Sequence, residues 1–316
     1  MPLKHALLAT LVAVIWGVNF VVIDAGLAGV PPLLFLAIRF TVVLVPAVLL
    51  VRRPAAPFRD VAVVGAFMSL GQFALLYVAL DLGMPAGLAA LLLQTQVLLT
   101  VLIATVRLHE PPTRRQLAGL LVGAAGLGVV CFGRSSATPL VGLLLTLGAA
   151  LSWASGNVAA RRVGSTSGLS LTVWSATVVP LPLLVLSLVV DGPSTVGHAL
   201  AHLPVSAIAS TAYTAYLSSL VGYGIWNTLL ARYPAATVTP FALLVPPVGI
   251  LAAWLVQGEV PGTTEAVGGA VLLAGVLVTA VSRRAQPPRG ATTTGTLEWR
   301  TTREETPPSS TRRTGP

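Results

Sequence analysis

The sequence predicts an all-α, polytopic membrane protein of ten transmembrane helices, built as two inverted-topology five-helix repeats. Three observations predict it. The chain is 55% hydrophobic and 9% charged with a mean hydropathy of +0.86, whereas soluble proteins average about 25% charged residues. Ten apolar runs follow one another, each near the roughly 20 residues that cross a bilayer as a helix. The stretch after the fourth run also returns after the ninth. At an offset of 149 residues, Glu110, Pro112, Gly119, Val122, Ala125, Gly126 and Val129 fall on Glu259, Pro261, Gly268, Val271, Ala274, Gly275 and Val278. Five crossings per repeat is an odd number, so the second half must lie upside down relative to the first.

The expected spans are 6–23, 31–51, 61–80, 84–106, 115–132, 139–160, 169–190, 203–230, 235–257 and 264–282. Lys4 before the first span suggests a signal peptide, but its core holds Trp16, Gly17 and Asn19, and nine further spans follow. A retained helix is expected. Trp16 and Asn19 are three apart and share a face. The second span holds Arg39, the one ionic side chain deep inside a run. Such a charge needs a partner, a cavity or an interface. A solute carboxylate is one possible partner; carbonyls and amides of neighbouring helices are the other, which the lack of an acidic companion favours. The third span offers Gln72 and Tyr77. The fourth sets Ala86, Ala90 and Gln94 at four-residue steps, followed by Thr95 and Gln96. Small residues there serve close packing, which leaves the amide unexplained.

The fifth span ends with the lone Cys131, so no internal disulfide is possible. The sixth carries Trp153 and Asn157 on one face, matching the Trp–Asn pair of the first. Either pair lines a pathway, or each Asn ties neighbouring helices together. The eighth span has the longest polar and aromatic stripe, Tyr216, Ser219, Tyr223 and Trp226, and is overlong, so 203–210 is expected to lie at the interface. Such a stripe suits either core packing or a pocket for small amphiphilic solutes. Pro240, Pro246 and Pro247 interrupt the ninth span. Proline frees carbonyls inside a helix, which membranes tolerate only beside protein or water. Residues 283–316 switch to Arg, Thr, Pro, Ser and Gly and are expected to be a disordered basic tail. The expected organisation is therefore 1–133 and 134–282 as the repeats, with 283–316 as the tail.

The net charge of +9 does not indicate a nucleic-acid partner. With the N-terminus inside, 17 of the 19 basic residues fall in cytoplasmic segments, the positive-inside pattern. Both termini are expected in the cytoplasm. One Lys against 18 Arg, with abundant Ala, Gly and Val, fits a bacterial source.

No Asp or Glu sits mid-span, and His5, His109, His198 and His202 fall at helix ends or in loops. His198 and His202 stand four apart without acidic or thiol companions, so no metal is expected. No Ser/His or paired-Asp set supports a protease, and no glycine loop followed by Lys supports nucleotide binding. The sequence predicts no cofactor and no enzyme.

These residues resemble the drug/metabolite transporter superfamily, in its ten-helix EamA-type branch. The likeness rests on Trp16-Gly-Val-Asn-Phe-Val-Val-Ile23, Pro31-Pro-Leu-Leu-Phe-Leu-Ala-Ile-Arg-Phe40, Gly83-Met-Pro-Ala-Gly-Leu-Ala89, Gly222-Tyr-Gly-Ile-Trp-Asn227 and residues 233–247, and covers about 5–282. His109 stands where the family often has glycine before the acidic residue. The branch that looks most similar comprises bacterial exporters of cysteine and O-acetylserine. The resemblance implies efflux of amino acids and related metabolites across the bacterial plasma membrane, through a central cavity between two halves. The fifth and tenth helices would then be scaffold. It places Trp16, Asn19, Gln72, Gln94, Trp153, Asn157, Tyr223 and Trp226 on cavity-lining helices; the residues themselves add Arg39, Tyr77 and Pro240 as candidates. The implied partners are a small amino-acid-like solute and the lipid bilayer, with no nucleic acid and no oligomeric state specified. The alternative from another class is a membrane binding or sensor protein that keeps the fold without transporting.

Overall fold

A computed structural model describes residues 1–133, 138–163, 168–233 and 235–281; the expected tail at 283–316 lies outside them. The membrane-crossing helices are α1 (Leu3–Leu27), α2 (Pro32–Leu50), α3 (Phe58–Asp81), α4 (Ala86–Arg107), α5 (Arg114–Phe132), α6 (Leu140–Val163), α7 (Gly168–Val190), α8 (205–232), α9 (235–257) and α10 (Thr263–Val281). Among the described residues, nine helices are long and apolar enough to span a membrane, and α8 supplies a tenth continuous helical run.

Local sequence sets the helix starts. Prolines stand at or just before the first turn of α2, α3, α4 and α8, where a missing N–H costs nothing. Thr113 and Gln116 cap α5 reciprocally: Gln116 N–H donates to Thr113 Oγ1 at 3.2 Å, and Thr113 N–H to Gln116 Oε1 at 2.9 Å. Helix α8 begins at Val205, not after an interfacial stretch at 203–210; the separate short helix is Pro193–Ala201. Ala207, Ser210 and Thr211 are buried against the bundle, which holds that turn inside it.

Outward faces are apolar. Leu49, Phe132 and Leu255 are exposed at 83%, 95% and 69%, which suits a lipid surround because hydrocarbon imposes no penalty on them. Glycines set the tightest packing, between α5 and α10. A Cβ on Gly126 would run into the backbone of Leu272, and one on Gly275 into Gly123. Small residues permit this approach in membranes.

Five crossing helices are irregular at depth; one of them, α7, carries a 3₁₀ turn at Ala176–Val178. Ala66–Gly71 in α3 and Tyr213–Gly222 in α8 are π-helical. Helix α4 breaks at Leu93 and Gln94, and α9 tightens to a 3₁₀ segment at Thr239–Leu244. The 149-residue offset carries Gln94 onto Leu243, so the two breaks coincide. The same offset carries His109 onto Gly258, and both adopt left-handed backbone, with φ of 55° and 70°.

Candidate functional site

The irregular segments converge on the centre of the bundle, where freed carbonyls find side-chain donors. Gln94, at the break in α4, donates from Nε2 to Ala242 O at 3.3 Å, in the break of α9. Trp16 Nε1 donates to Ser218 O at 3.0 Å, and Tyr213 Oη donates to Ile15 O at 2.9 Å, across α1 and α8. Gly222 makes room for the Trp16 indole; a Cβ there would lie 2.8 Å from Nε1. Tyr223 and Trp226 pack on Trp16 with centroids 5.1 and 5.2 Å away.

Two chambers adjoin this aromatic cluster. The first, about 180 Å³, is lined by Arg39, Ser69, Gln72, Trp153, Ser219 and Tyr223, among others. The second, about 350 Å³, is lined by Gln94, Gln96, Thr100, Asn157, Trp226 and Ala242, and reaches Arg161. Asn157 Nδ2 donates to Gln96 Oε1 at 2.8 Å and to Thr100 Oγ1 at 3.2 Å. At that end Arg161 pairs with Glu110 at 2.8 Å on the exposed surface. The opposite end carries cross-links between helices. Glu259 accepts from the N–H groups of Ala86 at 3.2 Å and Gly87 at 3.3 Å, where α4 begins. Gln257 Nε2 donates to Asp24 Oδ2 at 2.5 Å, linking α9 to the last turn of α1.

Arg39 is buried at 4% exposure. Its Nη1 donates to Tyr77 Oη at 2.8 Å, and the guanidinium carbon lies 4.6 Å from the Phe73 ring centroid. Its hydrogen-bonded neighbour is thus a hydroxyl, not the carbonyls and amides expected of a purely structural arginine.

The structure brings Arg39, Gln72, Trp153 and Tyr223 to the first chamber and Gln94, Asn157 and Trp226 to the second. Trp16 supports both through its ring contacts, and Tyr77 supports Arg39 from behind. Asn19 is buried without lining either chamber, and its Oδ1 has no hydrogen-bond partner among the described residues. Pro240 lines neither; its 3₁₀ segment contributes Ala242 and Leu243 instead. Tyr216 departs from its expected stripe. It is 49% exposed and faces a separate recess beside Ala207 and Ile208, because the π segment turns more residues per revolution than the α spacing assumes. Thr100 and Ser69 are lining residues that sequence reasoning passed over, and Gln96 was named beside Gln94 without being taken as a site residue. The four-residue step from Gln96 to Thr100 was the signal available for the second chamber. A larger recess of about 510 Å³ lies between α4, α9 and α10, but aliphatic side chains dominate it. Polar side chains converge instead on the two chambers, a lining of the kind small-molecule pockets use.

A family model for EamA-like transporters matches residues 3–132 and 140–281. This chain belongs to the EamA-like transporter family. Among its relatives is a probable amino-acid metabolite efflux pump of Escherichia coli (strain K12), 38% identical over 284 residues, covering 88% of this chain and 95% of that protein. A probable terminal-alkyne amino-acid exporter of Streptantibioticus cattleyicolor is 33% identical over 298 residues, covering 90% and 95%. A protein crystal structure shares the fold with a TM-score of 0.57 at 21% identity, covering 88% of this chain and 96% of that one. The ten-helix EamA fold and a multi-pass membrane setting follow.

Proposed function

We propose that this EamA protein is a secondary exporter of amino-acid metabolites in the bacterial inner membrane. It works by alternating access between inverted halves at 1–133 and 134–282. One observation carries the reading: a polar chamber lies at the coincident breaks of α4 and α9 and reaches Arg161, a second lies beside the irregular segments of α3 and α8, and Glu259 and Gln257 tie the far end. Broken helices at the centre of inverted repeats are where transporters bind solute. The shared left-handed turns at His109 and Gly258 support the repeat. The names of the relatives support amino-acid metabolites as the solute class.

Both termini face the cytoplasm in this reading, on the strength of the basic residues. The Arg161 end is then cytoplasmic, and the conformation opens inward. The residues that meet solute are the chamber-lining set of Arg39, Gln72, Gln94, Trp153, Asn157, Tyr223 and Trp226. Flux of labelled amino acids in proteoliposomes of the purified protein tests the activity; a protein that binds but moves none of them is a sensor instead. For orientation, Cys131 is replaced and single cysteines are placed at Ser194 and Ala55, both exposed. An impermeant reagent on intact cells labels position 194 and spares position 55; the reverse pattern overturns the topology.

A further inference from the structure

Every other feature of the first chamber is neutral, which makes Arg39 stand out. Arginine keeps its charge at any physiological pH and offers five N–H donors. Here the side chain is 96% buried (4% exposed), in a setting where an unpaired charge is costly. Among the described residues its one hydrogen bond goes to the Tyr77 hydroxyl, and no acidic side chain lines the chamber. Phe73 lies 4.6 Å and Phe40 5.6 Å from the guanidinium carbon. These rings fix the plane of the group without neutralising it. Contrast Arg161, whose guanidinium meets both oxygens of Glu110. Gln72 is also 4% exposed and lines the same chamber, with its amide free of any described partner.

We propose that Arg39 and Gln72 form the seat for the solute's carboxylate in the first chamber. The proposal rests on the transport reading above and specifies its substrate class: small solutes bearing a carboxylate. A carboxylate accepts two parallel N–H bonds from one guanidinium, and the arginine retains donors beyond the one spent on Tyr77. The Gln72 N–H₂ adds a further donor. The chamber offers no anion for the other end of an amino acid. The aromatic faces of Trp153 and Tyr223 line the same space and attract an ammonium. Tyr77 is a positioning residue. It holds one guanidinium nitrogen at 2.8 Å and leaves the rest of the fork for the solute.

The test uses the full-length protein in proteoliposomes with O-acetyl-L-serine and its carboxamide as probes. The wild type moves the acid at least roughly tenfold faster than the amide, the factor expected when a charge-assisted pair is lost. Arg39→Gln lowers flux of the acid by about tenfold or more and leaves the amide unchanged. Arg39→Lys, which keeps the charge but not the fork, recovers part of the preference. Tyr77→Phe keeps the charge but frees the fork, so the preference for the acid over the amide narrows without being lost. If Arg39→Gln does not fold, wild-type thermal shifts decide: the acid raises the melting temperature and the amide does not. Equal handling of acid and amide by the wild type, or equal loss of both in Arg39→Gln, overturns the carboxylate seat and leaves transport standing. A wild type inert to both probes and to the wider amino-acid panel overturns the transport reading, and the seat with it.

Discussion

Glu259 ties the loop between α9 and α10 to the start of α4, so its removal reports on how firmly one end of the pathway is shut. Each oxygen of the half-buried carboxylate accepts one backbone N–H, at 3.2 Å from Ala86 and 3.3 Å from Gly87. Hydrogen bonds to a charged group contribute about 1.5–3 kcal/mol each. These are longer than the usual 2.9–3.0 Å and open to partial solvent screening. The pair is therefore taken at roughly 1–2 kcal/mol in all. Glu259→Gln keeps the shape but surrenders one acceptor oxygen and the charge. The balance between shut and open states at that end should move by roughly tenfold toward open. Spin labels at Leu82 and Val260, 48% and 74% exposed, give the readout as a distance distribution. The variant should gain a longer-distance population that the wild type lacks. Glu110→Gln is the control, since it loses only the exposed pair with Arg161 and should leave this distance alone. Identical distributions for Glu259→Gln and wild type would refute the role assigned to Glu259, and the Asp24–Gln257 bond would have to hold that end by itself.

Other consequences follow from single positions. His109 holds a φ of 55°, which costs a residue with a Cβ about 1–2 kcal/mol. Glycine avoids that but gives back roughly 0.5–1 kcal/mol through its freer unfolded chain, so His109→Gly should raise the melting temperature in detergent slightly, and a fall refutes the strain. Gly275→Val drives a side chain into the Gly123 backbone and should cost about 1–3 kcal/mol, or more if the helices separate; unchanged yield and melting would mean that α5 and α10 do not pack this closely. Trp16→Ala, Gln94→Ala and Tyr223→Ala should each reduce export severalfold when normalised to protein in the membrane. Wild-type flux in all three would make these side chains structural only.

The ten crossings were legible in the chain because a bilayer asks little more than length and apolarity of a helix, and both are local properties. The same holds for the prolines that start helices, the capping box at Thr113 and Gln116, and the glycine-rich match between the fifth and tenth spans. Pro240, Pro246 and Pro247 likewise marked the broken ninth helix in advance. The break in α4 had no such marker: no proline lies between Ala86 and Arg107, and Gln94 reads as one more step on a regular face. It breaks where its amide can reach Ala242 on α9, a partner 148 residues away, and no local pattern encodes that reach. The π segments had the same effect on α8. They turned Tyr216 outward while Ser219 and Tyr223 stayed in the first chamber and Trp226 in the second. Arg39 was conspicuous in the sequence as a deep charge, but its meaning depended on its neighbours. Whether a buried arginine is tied down or left with donors to spare is set by helices that meet only after folding. Here they supplied one hydroxyl and three aromatic rings. Sequence determined which segments enter the membrane; the packing between them decided which polar side chains line the chambers and which are tied to a neighbour.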